Sequence, residues 1–207
     1  MGYTLKNFEY WTNAFGEITS VKMAGVDYLR WPIQSRLSEN YLTNREIQDI
    51  TTNLAHSFQF IEFIGTFKSE GVLTSPMTQQ FNRAFVFIGG SMIEALLYLC
   101  LKNKFSEVKP NSQFTDLIEK AKSKKRRLFG DDYSEVCSAL TDIKNLRNRI
   151  HMHRSRDKNG RDLGYDFGSF NQSDVIVTRD AILYLIETIL GDDTDDFIER
   201  YEGVLGC

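Results

Sequence analysis

Proline is nearly missing from this chain: three occur in 207 residues, and long stretches pass without a turn signal. A sandwich or barrel built from many short strands needs frequent turns, so the scarcity favours helices. Cysteine is equally sparse. Cys100, Cys137 and Cys207 are odd in number and far apart, without a CxxC pair, which excludes a disulfide framework or a cysteine-rich zinc site. Cys100 and Cys137 fall within apolar helical patterns and read as buried thiols. Charge is balanced, 25 Lys and Arg against 28 Asp and Glu for a net of −3, so any affinity for nucleic acid must come from local charge density. The first residues, Met1 to Lys6, lack a signal-peptide core, and Lys6 stands where a myristoylation motif wants Ser or Thr. The longest apolar run, from Ala84 to Leu101, is broken by Ser91 and Glu94 and reads as a core helix rather than a membrane span. These absences predict a soluble protein of the reducing cytosol, with no membrane partner, metal or other cofactor.

What the chain does contain is helical periodicity. Residues 43 to 207 read as an all-α bundle of four to five main helices. Thr43 or Asn44 caps the first, along which Ile47, Ile50, Leu54, Phe58, Ile61 and Ile64 recur at three- and four-residue steps. Ser75-Pro76 starts a second, running to about Lys102. Its faces, Phe81, Phe85, Ile88, Met92 and Leu99 on one side and Val86, Phe87, Ile93, Leu96 and Leu97 around it, predict burial nearly all round. Gly89-Gly90 within it costs about 1 kcal/mol per glycine in an isolated helix, which implies close approach of a neighbour. Glu94, the one carboxylate in this segment, needs a cationic or hydrogen-bonding partner. A short helix with Phe114, Leu117, Ile118 and Ala121 inward ends in six cations among eight residues, Lys120 to Arg127. Asp132-x-x-Glu135 is a capping box for a helix with Val136, Leu140, Ile143, Leu146 and Ile150 on one stripe. Thr178 is expected to cap the last helix, stopped by Gly191, and Asn159-Gly160 signals a small hairpin or loop after the preceding helix. Residues 1 to 42 mix aromatics with Gly16, Gly25 and Pro32 without a period, and read as an irregular extension, or short strands, packed on the bundle.

The stretch richest in chemistry is Leu146-Arg147-Asn148-Arg149-Ile150-His151-Met152-His153. Arginine neutralises phosphate oxygens with a planar fork of donors, and histidine moves protons near pH 7. Seven Lys or Arg against one Asp lie between Lys144 and Arg161. Lys144, Arg149, Arg154, Arg156, Lys158 and Arg161, with Arg147, form a candidate track for a nucleic-acid backbone.

The segments Ile88 to Leu97 and Leu140 to His153 resemble the HEPN superfamily. The resemblance covers roughly residues 76 to 190 and leaves out residues 1 to 42. It implies a HEPN helical bundle that dimerises through its motif-bearing helices. Active members are metal-independent endoribonucleases with an Arg-x(4–6)-His motif, often with a polar residue after the Arg. Arg147, five residues and His153 satisfy that spacing, with Asn148 in the polar place; His151 follows too closely. The implied role is an endoribonuclease in a defence or toxin-antitoxin system, a homodimer with RNA as substrate and an antitoxin or other protein as partner.

Geometry tempers this. On an unbroken helix His153 points about 120° away from Arg147, whereas His151 shares its face. His153 meets Arg147 only if the helix stops near His151 or a second subunit supplies one group. Structural alternatives stand beside each role. Arg147 pairs with Glu94 across the bundle, Asn148 bonds a backbone group, and His151 and His153 complement the helix dipole. The second reading is therefore a catalytically silent HEPN dimer that binds RNA or a nucleotide, or serves as an interaction module. The third is a helical scaffold with a wholly structural motif. A metal on His151, His153 and Asp157 would be a weak signature.

Overall fold

The computed structural model describes residues 2–5, 8–12, 18–22, 25–37, 41–70, 74–130, 133–149 and 170–191. Three strands, β1 (Gly2–Leu5), β2 (Phe8–Thr12) and β3 (Ile18–Lys22), form an antiparallel meander in the order β1-β2-β3. Tyr3 faces Tyr10 across the first pair, Tyr10 faces Val21 across the second, and the register shifts at Trp11/Thr12. The rest is an all-α bundle: α1 (Val26–Arg36), α2 (Asn44–Glu70), α3 (Ser75–Lys104), α4 (Phe114–Ser123), α5 (Lys125–Phe129), α6 (Tyr133–Arg149) and α7 (Gln172–Leu190). Four of these, α2, α3, α6 and α7, are 17 residues or longer.

Helix α3 is the centre, packing against α2, α4, α6 and α7. It is also the one described helix long and apolar enough to cross a membrane, although 67% of that stretch is buried inside the protein. The inward stripes are those the periodicity predicts. Ile47, Leu54, Phe58, Ile61 and Ile64 of α2 are buried, as are Phe114, Leu117, Ile118 and Ala121 of α4 and Val136, Leu140, Ile143 and Leu146 of α6. The start of α2 is closed reciprocally. Thr43 N donates to Glu46 Oε2 at 2.9 Å, and Glu46 N donates to Thr43 Oγ1 at 3.2 Å, which satisfies two otherwise orphaned donors.

Three expectations need correction. Residues 26–36 belong to the bundle as α1, packed on α2 and α7. Leu29, Ile33 and Leu37, one turn apart, bury together, and the helix keeps this stripe despite Pro32 in its interior. Thr178 does not cap α7. Asn171 is the N-cap, its Oδ1 accepting from Asp174 N at 3.1 Å while its own N–H donates to Asp174 Oδ2 at 2.9 Å. The helix thus begins almost two turns earlier, and Thr178 is fully buried with Oγ1 on the Asp174 carbonyl. Nor is α3 covered all round: Phe87 is 46% exposed, and Ser91 and Glu94 beside it are half-buried, leaving one open face. The other end of α7 follows expectation, since Gly191 takes φ +68°, a left-handed conformation glycine adopts without a Cβ penalty.

Cys100 is buried as expected and Cys137 half-buried; burial pushes the Cys100 thiol up to about 12. Ile150, Cys207, the Asp132 cap of α6 and the Asn159-Gly160 turn lie outside the described residues.

Candidate functional site

The two adjacent glycines of α3 serve different neighbours. A Cβ built on Gly89 would stand 2.4 Å from Thr178 Cγ2 of α7, inside any real contact, so the glycine is what lets these helices meet. On Gly90 a Cβ would lie 3.5 Å from Arg147 Cδ and 3.7 Å from Ile143 Cγ2 of α6, an ordinary contact. The aliphatic stem of Arg147 therefore runs along bare α3 backbone, one residue from the buried Leu146. One turn further along α3, Glu94 accepts a hydrogen bond from Arg147 Nη1. The guanidinium carbon also lies 5.7 Å from the centroid of the Phe114 ring at the start of α4, within cation–π range. Arg147 thus ties three helices together.

The tie is not sealed from water. Arg147 and Glu94 side chains retain 30% and 28% exposure, so the pair is partly screened and is worth less than a buried one. Nη1 is the atom committed to the carboxylate, and a guanidinium carries five N–H donors on a rigid fork. The arrangement holds the side chain in one pose while part of it faces solvent. Asn148, the next residue, is exposed, and Lys144, one turn back, is half-buried. Arg149 is the last described residue of α6, its side chain undescribed. The candidate residues His151, His153, Arg154, Arg156, Lys158 and Arg161 lie outside the described residues.

Half of the cationic run at the end of α4 is provided with acids. Lys120 and Lys124 reach Glu107 at 3.7 and 3.6 Å, and Lys122 reaches Glu119 at 3.1 Å. Lys124 and Arg127 also sit 5.4 and 5.2 Å from the Phe105 ring centroid. Glu107 is held below the usual carboxylate range by a backbone N–H bond first and by these lysines after it. Most of this run completes a helix end. Among the described residues no group of three His, Cys, Asp or Glu side chains converges as a metal site would require. His56, on α2, is exposed beside Gln59.

Two surface pockets were not foreseen. One, of about 370 Å³, is an apolar groove between α2 and α3, lined by Phe60, Phe63, Met77 and Phe81 among others. The other, of about 510 Å³, is polar and lies where α3 and α7 begin. No family model matches the chain, and neither a curated protein nor a solved structure matches it.

Proposed function

We propose that this protein is a HEPN-like, metal-independent endoribonuclease that acts through Arg147 and His153. The observation that carries the reading is the pose of Arg147: fixed by Glu94 and Phe114, partly open to solvent, and placed where α6 leads into the histidine-bearing cationic segment. A phosphate clamp has these properties, since a charge held in place needs no reorganisation as charge develops in the transition state.

The chemistry balances without an added reactant. His153 removes the proton of a ribose 2′-hydroxyl, the 2′-oxygen attacks the adjacent phosphorus, and the bond to the 5′-oxygen breaks. The products are a 2′,3′-cyclic phosphate and a 5′-hydroxyl whose proton returns from a general acid, His151 or the second copy's His153 in a homodimer. Arg147 holds the non-bridging oxygens and Asn148 orients His153 or a phosphate oxygen. Lys144, Arg149 and the cations from Arg154 to Arg161 track the backbone. DNA, lacking the 2′-hydroxyl, is not cut.

A second reading, the catalytically silent HEPN dimer that binds RNA or a partner protein, is favoured by the Glu94–Arg147 pair itself. A guanidinium already matched with a carboxylate offers a phosphate less net charge. RNA cleavage in EDTA by the parent, Arg147→Ala and His153→Ala separates the two. Cleavage by the parent alone establishes the nuclease. Salt-sensitive RNA binding with no cleavage by any of the three, all folded, overturns it in favour of the silent module.

A further inference from the structure

We propose that the cationic end of α4 and α5 is the docking surface for the acidic segment that follows α7, residues 192 to 202 of the same chain. Six cations fall between Lys120 and Arg127. Glu107 and Glu119 answer three of them, Lys120, Lys122 and Lys124. Arg126 and Arg127 are exposed and form no ion pair among the described residues. Positive charge is therefore in surplus at this end of the bundle.

The segment from Asp192 to Glu202 lies outside the described residues. Its sequence holds six acids, Asp192, Asp193, Asp195, Asp196, Glu199 and Glu202, against Arg200 alone. The helix it leaves cannot neutralise it, because the last turn of α7 carries no basic residue and a helix C-terminus is itself the negative end of the dipole.

The packing of α7 brings the two charges together. Asn82 donates to the Phe170 carbonyl oxygen, Gly89 abuts Thr178, and the Cys100 thiol donates to the Leu185 carbonyl oxygen at 3.6 Å. These pairs ascend in step, so α3 and α7 run in the same direction and Gly191 leaves α7 at the Phe105 end of α3. Phe105 is the ring beneath Lys124 and Arg127, at 5.4 and 5.2 Å. Tyr184 ties α7 to α5 directly, its hydroxyl donating to the Phe129 carbonyl oxygen at 3.0 Å. Gly191 follows two turns later, about 10 Å along the helix. The other cationic track begins at Arg147 beside Gly90, about 22 Å back along α3 from Phe105.

Extended, residues 192 to 202 reach up to about 36 Å, enough to span the gap. Exposed ion pairs are individually weak. Docking is favoured by their number and by the tether, which holds the acids at an effective concentration on the order of millimolar. The docked segment screens this end of the bundle from other polyanions and leaves the Arg147 end open, whether or not the chain cuts RNA.

The test is zero-length cross-linking of the full-length chain with a water-soluble carbodiimide, which joins a lysine amine to a carboxylate in contact with it, followed by peptide mass mapping. Lys122–Glu119 and Lys124–Glu107 links are the internal control. Links from Lys122 or Lys124 to carboxylates of residues 192 to 202 are expected at about 0.01 M salt. They should fall severalfold at about 1 M, as the screening length shrinks from about 30 Å to about 3 Å. Arg126→Glu with Arg127→Glu, both at the surface, should remove them while the control links persist. Adding Asp195→Lys and Asp196→Lys to that pair should restore cross-linking between the two segments. Control links without links to the acidic segment overturn the docking, as do links unchanged by salt and by charge reversal, or links from Lys144 or Lys158 in place of those from Lys122 and Lys124. An equal mixture of ¹⁵N-labelled and unlabelled chains that yields mixed-mass links overturns docking within one chain and assigns the contact to a second copy.

Discussion

The close approach of α3 and α7 makes Gly89 the most informative position to perturb. In an exposed helix Gly→Ala stabilises by about 1 kcal/mol through helix propensity. At Gly89 the new methyl would meet Thr178 Cγ2 at 2.4 Å and Ile182 Cδ1 at 3.4 Å. Thr178 cannot simply turn aside, since Oγ1 is bonded to the Asp174 carbonyl at 2.7 Å and the side chain is fully buried. Overpacking of this kind costs about 1–3 kcal/mol and outweighs the propensity gain at all but its lower end. Gly89→Ala is therefore expected to lose up to about 2 kcal/mol, or up to about 8 °C in Tm for a chain of this length.

Thr178→Ser removes the opposing methyl and by itself costs about 1 kcal/mol for the small void. In the double variant the alanine methyl fills that void, so the two losses should not add. A coupling of about 1–3 kcal/mol, with the double variant near the parent, is the expected signature of direct contact. Urea denaturation of the four proteins measures it. Gly90→Ala is the internal control, since its methyl makes only ordinary contact with Arg147 Cδ at 3.5 Å and should be neutral or stabilising. A Gly89→Ala protein more stable than the parent, with no coupling to Thr178, would refute the reasoning.

Two further perturbations follow. Burial, with the Glu46 carboxylate behind it, pushes the Tyr98 phenol up to about 12. The fold favours the neutral phenol, so its contribution is full below about pH 10, the unfolded value, and is lost as pH rises through 12. Tyr98→Phe should cost about 1 kcal/mol for the hydrogen bond to Glu46 and flatten the alkaline limb of a denaturation-against-pH curve; an unchanged limb refutes the assignment. At the head of α7, Asn171→Ala should cost about 1 kcal/mol and speed amide hydrogen exchange in the first turn, whereas unchanged exchange at Asp174 would show that the cap is not formed by this side chain.

How far the fold was legible depends on whether one residue type decided each element. The long stripes of α2, α3, α4 and α6 were readable because isoleucine, leucine and phenylalanine recur there at three and four residues. Helix α1 was not, because Pro32 interrupts a short sequence whose only regular signal is Leu29, Ile33 and Leu37. The start of α7 misled because Thr178 is a good capping type, while Asn171-x-x-Asp174, the pattern that caps, lay just upstream. Contact between Glu94 and Arg147 follows from a rule that sequence can supply, that a carboxylate in an apolar helix needs a cation. The exposure of Phe87 and the polar pocket obey no local rule. Asn82 is a pocket residue only because the Phe170 carbonyl, 88 positions away, takes its amide hydrogen.

The weight given to Arg147 turns on a distinction that one conservative substitution exposes. As a structural tie, the residue needs a positive charge near Glu94 and an aliphatic stem along Gly90, and lysine supplies both. As a phosphate clamp it needs the planar fork, which lysine lacks. Arg147→Lys should therefore keep most of the stability, within about 1 kcal/mol for a half-exposed pair, yet lose RNA cleavage about as severely as Arg147→Ala. Glu94→Gln is the complement: it leaves the fork intact, frees it from its carboxylate and loosens its pose. If positioning dominates, cleavage falls; if charge competition dominates, cleavage or RNA affinity rises. Parallel measurements of denaturation midpoint and single-turnover cleavage decide the matter. An Arg147→Lys protein that cuts RNA like the parent would remove the fork from the mechanism and leave Arg147 as a helix tie.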